Sequence, residues 1–204
     1  PWERPDLLAQ LDRLAALAAR LCNAPVGLVS LVEADRQRFI GRHGTELTET
    51  PREFAFCDLA MHEAEGIVVP DARLDTRFCD NPLVTGAPGI RLYASHPLRS
   101  SEGAPLGTLC VIDTEARADL TIQQMEDLRT LASAAVGLLE RWRQESNSRQ
   151  QAERSQSTIQ DLEKRFQVLT DAMPQMVWST RSNGSVDYVN QRWLEFTGGS
   201  ATDS

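Results

Sequence analysis

The stretch from Val68 to Asp113, VVPDARLDTRFCDNPLVTGAPGIRLYASHPLRSSEGAPLGTLCVID, constrains the fold more than any other part of the chain. A Pro-Asp step ends an apolar run, and Asn81-Pro82 and a Gly/Pro-rich turn follow. Two strand-like runs, Arg91 to Leu98 and Pro105 to Ile112, then flank a polar turn at Glu102-Gly103. Turn residues between alternating apolar runs specify a hairpin, and carboxylates beside turn formers accept backbone hydrogen bonds. No residue set in this stretch is built for catalysis. Asp71, Asp75, Asp80 and Asp113 therefore read as turn and cap residues rather than as a metal cluster, with Arg77 and Arg91 as their expected ion partners.

The elements around this stretch complete an order. Leu7, Leu8, Leu11, Leu14, Ala15, Leu17, Ala18 and Leu21 follow three- and four-residue steps, which predicts an amphipathic helix capped near Asp6. Val26 to Val32 and Arg36 to Arg42 read as a hairpin. Thr50-Pro51-Arg52-Glu53 is expected to open a helix reaching about His62, Ile67 to Val69 a short strand, and Asp71 to Val84 a set of short helical turns. A long helix should begin at Leu120-Thr121, with Thr121 and Gln124 forming a capping box. The fold class is therefore α+β: an antiparallel sheet, the two terminal helices on one face, and the segment Phe54 to Gly89 on the other.

Asp71-Ala72, Asp75, Arg77-Phe78, Asn81-Pro82, Arg91, Tyr93, Pro97-Leu98 and the run Gly107 to Asp113 together resemble the GAF domains of bacterial sensor proteins, over roughly Asp6 to Arg141. The resemblance implies a ligand pocket on the face opposite the terminal helices. Its expected lining is Phe56, Cys57, Phe78, Leu83, Val84, Ile90, Tyr93 and Ser95, with Asp71, Asp75, Arg77, Asn81 and Arg91 holding the loop beside it. A bilin would require a thioether cysteine followed closely by histidine, and neither Cys57 nor Cys79 has that surrounding. The Asn-Lys-Phe-Asp-Glu set associated with cyclic GMP is ruled out because the only lysine is Lys164. No cofactor is required by the sequence, and the ligand, if there is one, is an unidentified small molecule.

From about Phe166 the sequence FQVLTDAMPQMVWSTRSNGSVDYVNQRWLEFTG resembles the opening of a PAS domain, with strands at Met176 to Thr180 and Val186 to Val189 across an Asn183-Gly184 turn. The chain stops at Ser204, before the last three strands such a domain needs. Three segments result: 1–141 as a GAF sensory domain, 142–165 as a helical linker or signalling helix, and 166–204 as the first part of a PAS domain. Along the long helix Leu128, Ala135, Leu139 and Trp142, then Ile159 and Leu162, form an apolar stripe read as a homodimer seam. Ile159/Leu162 and Phe166/Leu169 stand seven residues apart, as coiled-coil a and d positions do. The polar stretch Glu145 to Thr158 reads either as a solvated helix or as a flexible linker.

Composition narrows the function. A net charge of −8 with dispersed acidic residues works against binding nucleic-acid phosphates. No apolar run approaches the roughly 18 residues of a membrane span, and Pro1 to Pro5 lacks a signal-peptide pattern, so a cytoplasmic location is expected. Cys22, Cys57, Cys79 and Cys110 form no C-x-x-C pair and are expected to be reduced. The expected function is a sensory and dimerisation module of a bacterial signal-transduction protein, not itself an enzyme. Its resemblance around Ala172 to Trp178 favours a histidine kinase core downstream over a diguanylate cyclase. The alternatives are a purely structural dimerisation module and a GAF-type methionine sulfoxide reductase, which the presence of Cys57, Cys79 and Cys110 in one domain brings into view.

Overall fold

A computed structural model describes residues 4–198; the outermost parts of the first and last expected segments, 1–3 and 199–204, lie outside the described residues. The chain divides into two units, Pro1–Gln144 and Glu145–Ser204.

In the first unit, helix α1 (Pro5–Leu21) precedes strands β1 (Val26–Val32), β2 (Arg36–His43) and β3 (Glu49–Pro51). A 3-10 turn (Arg52–Phe54), helix α2 (Phe56–Ala60), strand β4 (Ile67–Val69), helix α3 (Pro82–Thr85), and strands β5 (Leu92–Arg99) and β6 (Pro105–Asp113) follow. The six strands form one sheet in the order β3-β2-β1-β6-β5-β4, every neighbouring pair antiparallel. Side chains alternate across a strand, and the sheet uses both faces. Val29, Leu31, Ala94, Leu98, Leu109 and Val111 face α1 and the start of helix α4 (Ile122–Ala172), while Leu28, Ile67, Val69, Tyr93 and Cys110 face α2 and the loop that follows it.

Helix α1 lies so close to β1 and β2 that only glycine fits beneath it. A Cβ at Gly27 would stand 2.1 Å from the Ala15 carbonyl oxygen, and one at Gly41 would stand 2.7 Å from the Leu11 backbone. Asp6 sits in the first turn of this helix and not at its cap, which is Arg4, whose guanidinium Nε donates to Asp6 at 3.0 Å. The capping box of α4 forms as expected: Gln124 N donates to Thr121 Oγ1 (3.2 Å), and Gln124 Oε1 accepts from Thr121 N (2.9 Å). The Gln124 amide also donates to Leu21 O at 3.0 Å, joining the end of α1 to the start of α4.

The helix expected from Thr50 to His62 is instead a strand, a 3-10 turn and one short helix. Glu49, Thr50 and Pro51 pair with Arg38, Gln37 and Arg36 at the sheet edge, where a proline without N–H is tolerated. Ala55 is extended, with φ −79° and ψ 112°, and separates the turn from α2.

In the second unit, α4 continues through the polar stretch 145–158 to Ala172, so that stretch is helical. Strands β7 (Trp178–Thr180) and β8 (Val186–Val189) form an antiparallel hairpin whose turn carries Gly184 at φ +87°. Helix α5 (Gln191–Thr197) follows, capped by Asn190. Asn190 is fully buried and satisfied: its Nδ2 donates to Thr170 O (2.8 Å) and Gln175 O (3.0 Å), and its Oδ1 accepts from Val177 N (2.9 Å) and Trp193 N (3.2 Å). Among the described residues no helix is long and apolar enough to cross a membrane.

Candidate functional site

The sheet face opposite α1 and α4 carries an aromatic cluster. The rings of Phe56 and Phe78 stack with centroids 4.3 Å apart, and Tyr93 stands 5.1 Å from Phe56 and 6.3 Å from Phe78. Beside it lies a cavity of about 360 Å³, bounded by Val26, Leu28 and Phe39 of β1 and β2, Phe56 and Cys57 of α2, Leu83, Ile90, Tyr93 and Ile112. Of the eight residues expected to line a pocket, Phe56, Cys57, Leu83, Ile90 and Tyr93 do so. Phe78 and Val84 are packed into the core beside it, and Ser95 is buried one strand repeat beyond Tyr93. Val26, Leu28, Gln37, Phe39 and Ile112 were not expected in the lining, although strand parity puts Leu28 and Ile112 on this face and gives Gln37 the parity of Phe39.

The loop around the cavity is held by local polar contacts. Asp71 Oδ1 accepts from Arg73 N (3.1 Å), and Asp75 Oδ1 accepts from Arg77 N (2.9 Å), each carboxylate closing a turn two residues long. Each also forms an ion pair with the same arginine, at 2.6 Å in both cases, and Arg77 lies 5.3 Å from the Phe78 ring centroid. The partner of Asp71 is therefore Arg73. Arg91, expected to pair with a carboxylate, instead donates through Nη1 to Val84 O (3.0 Å) and Ile90 O (2.9 Å). Asn81 caps α3 by accepting from Leu83 N (2.9 Å) and donates to Phe54 O (3.1 Å), tying this loop to the 3-10 turn.

Hydrogen bonding from the Arg77 guanidinium holds the Asp75 carboxyl below the ordinary carboxylate value. A carboxyl with a depressed folded-state pKa stabilises the fold above its unfolded value, and that contribution is lost as pH falls through the folded value. Asp75→Asn should therefore cost about 1 kcal/mol at neutral pH, and the gap from wild type should close on acidification. Urea melts across that range measure it; a gap that widens in acid would contradict this account.

At the cavity wall the polarity is unusual for a core. Gln37 Nε2 donates to Cys57 Sγ at 3.1 Å, Tyr93 Oη donates to the same sulfur at 3.3 Å, and Cys110 Sγ stands 3.9 Å from it. Burial alone would push the Cys57 thiol up, but the donors around it, Cys110, Ser30, Thr108 and Tyr93, draw it below the usual thiol value. Cys110 moves the other way, pushed up by its hydrogen bond to Cys57 and by burial. Cys22, buried elsewhere, is pushed up to about 11 by desolvation. All four cysteines are free thiols.

Among the described residues, the cavity lining contains no arginine, lysine or histidine. Its one carboxylate, Asp113, is ion-paired with Arg117. Among the described residues no cluster of three or more His, Cys, Asp or Glu could hold a metal ion.

The family model of the GAF domain matches residues 6–138, most of the chain. The chain belongs to the GAF domain family. A PAS domain model matches residues 164–203, so the GAF region is followed by a partial PAS match in the order expected. The chain is 38% identical to a cyclic di-GMP phosphodiesterase of Pseudomonas aeruginosa, over 63% of this chain and 22% of that protein, so it spans less than a quarter of this curated relative. The GAF domain of a phosphoenolpyruvate-protein phosphotransferase from Coxiella burnetii superposes with a TM-score of 0.58 at 15% identity, covering 71% of this chain and 89% of that one. Free methionine-R-sulfoxide reductase from Neisseria meningitidis, solved with its substrate, has a TM-score of 0.54 at 20% identity, covering 70% and 83% of the two chains. These structural likenesses show the GAF fold.

The structure divides the six residues of the expected dimer stripe. Leu128, Ala135 and Leu139 are buried in the GAF domain's own core, so they cannot face a partner, and Trp142 packs at the edge of that core. Ile159 and Leu162 are exposed, at 56% and 61%.

Proposed function

We propose that this chain is the sensory and dimerisation part of a multidomain signalling protein, in which the GAF cavity takes a small neutral molecule and α4 carries the response. The observation that carries this reading is the cavity of about 360 Å³ against the sheet, within the size range of small-molecule sites. A purely structural module would fill that space with side chains. The absence of any cation in the described lining disfavours phosphate- or carboxylate-bearing ligands, cyclic nucleotides and bilins among them, because burying an unpaired anion there is costly. We place the protein in the cytosol and read it as regulatory rather than catalytic.

Mass spectrometry of small molecules released from protein purified from its native host tests the reading. A neutral compound in stoichiometric amount, lost when Ile90→Trp fills the cavity, is the expected result. No bound compound in the wild type would leave the structural module as the better account.

For the dimer, the seam moves to the exposed part of α4. Ile159, Leu162, Phe166 and Leu169 are each at least 50% exposed and keep the seven-residue spacing of a coiled coil. The double change Ile159→Glu and Leu162→Glu should convert a dimer to a monomer in light scattering while the GAF core stays folded. A wild-type monomer at micromolar concentration would defeat this part.

The output domain is read as a histidine kinase core from the resemblance of Ala172 to Trp178. The 38% identity to a cyclic di-GMP phosphodiesterase favours a second reading, in which the parent protein turns over a cyclic dinucleotide.

A further inference from the structure

Cys57 and Cys110 stand 3.9 Å apart and are both within 1% of complete burial. A core thiol ordinarily packs as a small hydrophobe among hydrocarbon. Here two donors converge from separate strands: the Gln37 amide of β2 and the Tyr93 phenol of β5 reach the Cys57 sulfur at 3.1 and 3.3 Å. Such convergence stabilises a sulfur anion. The two thiols are also placed differently. Cys57 borders the cavity at the start of α2, whereas Cys110 lies behind it in the central strand β6 and takes no part in the lining.

We propose that Cys57 and Cys110 form a dithiol modification site, in which a small hydroperoxide entering the cavity oxidises Cys57 and Cys110 converts the product to an internal disulfide. In the first step the Cys57 thiolate attacks the terminal oxygen of the hydroperoxide. An S–O bond forms as the O–O bond breaks, and the leaving alkoxide or hydroxide takes the proton that Cys57 gave up on ionising. In the second step the Cys110 sulfur attacks the sulfenic sulfur of Cys57. The S–S bond forms as the S–O bond breaks, and the hydroxyl leaves as water with the Cys110 proton. In sum, one hydroperoxide gains two electrons and two thiols lose them.

The order of attack follows from position. Cys57 faces the cavity and accepts from Gln37 and Tyr93, while Cys110 takes no part in the lining, so a hydroperoxide in the cavity meets Cys57 first and Cys110 acts second. Closing the sulfurs from 3.9 Å to the bonded distance of about 2 Å would fasten the five-residue helix α2 to the middle of the sheet. The site needs the cavity only as an entrance and does not depend on the neutral ligand proposed above.

The test exposes the full chain to hydrogen peroxide and maps its cysteines under non-reducing conditions. The expected product is a Cys57–Cys110 disulfide, two hydrogens lighter than the parent and reversed by dithiothreitol. In Cys110→Ser the reaction should stop at a sulfenic acid on Cys57, trapped by dimedone, and in Cys57→Ser oxidation at Cys110 should slow by at least about tenfold. Circular dichroism checks that both variants fold, and the wild-type map stands without them. Oxidation confined to Cys79 or Cys22, with Cys57 and Cys110 still thiols, would overturn the proposal. So would dimedone capture at Cys110 in Cys57→Ser at the wild-type rate, which would reverse the order of attack.

Discussion

Gly27→Ala should lower the stability of the GAF domain by about 3 kcal/mol, the upper end of what overpacking usually costs. A single methyl group has that effect here because the obstacle is backbone. The added carbon would lie 2.1 Å from the Ala15 carbonyl oxygen and 2.9 Å from its carbon, and neither can turn away as a side chain would. Relief requires moving α1 off the sheet, which separates Leu11, Ala15 and Ala18 from Val29 and Val111 in the main core. Gly137→Ala in α4 is the control of opposite sign. Nothing lies within 4 Å of its added carbon, and replacing a helical glycine by alanine stabilises by about 0.5–1 kcal/mol. Urea melts of both variants decide the matter: a Gly27→Ala protein within experimental error of wild type would mean that α1 does not sit as close to β1 as described.

The second large effect belongs to Asn190 in the PAS-like unit. Asn190→Ala removes four side-chain hydrogen bonds at once: Val177 N–H and Gln175 O lose the partner named above, while Trp193 N–H keeps the Asn190 backbone carbonyl (3.1 Å) and Thr170 O keeps Met173 N–H (3.3 Å). Buried groups left unsatisfied cost about 1–3 kcal/mol each where water cannot reach them. A net loss of about 2 kcal/mol is expected, because two of the four groups keep a backbone partner and the exposed Gln175 can turn to water. Asn190→Asp keeps the oxygen acceptor and loses the donor, so it should fall between alanine and wild type. Amide hydrogen exchange reads this locally: protection should drop across 170–193 while β1, β5 and β6 stay protected. Unchanged exchange at Val177, whose N–H donates to the Asn190 side chain, would remove Asn190 from this role.

Where the sequence was legible, the reason is parity. Val26 to Val32 and Pro105 to Ile112 are apolar on both faces, which marks them as central strands, and the two-residue side-chain period then fixes which residues share a face. The helix expected over 50–62 is broken up because pairing with β2 holds Glu49–Pro51 as a strand and the extended Ala55 separates the 3-10 turn from α2. The dimer stripe was misread for a different reason. Three- and four-residue spacing reports that a helix has an apolar face and says nothing of what covers it; for Leu128, Ala135 and Leu139 the cover is the protein's own sheet. The cavity lining was legible where it lay in the loop and its adjoining strand, as at Phe56, Leu83 and Tyr93. Gln37 was hidden because a glutamine between two arginines reads as surface, and only the fold turns it inward.

The ends of the GAF sheet carry a consequence for how copies of this chain can meet. Both edge strands, Glu49–Pro51 and Ile67–Val69, are three residues long, and one ends in a proline with no N–H to offer. Edges this short give an incoming strand little ladder to extend, which protects against runaway cross-β stacking. Edge-to-edge joining of two GAF sheets is thereby disfavoured.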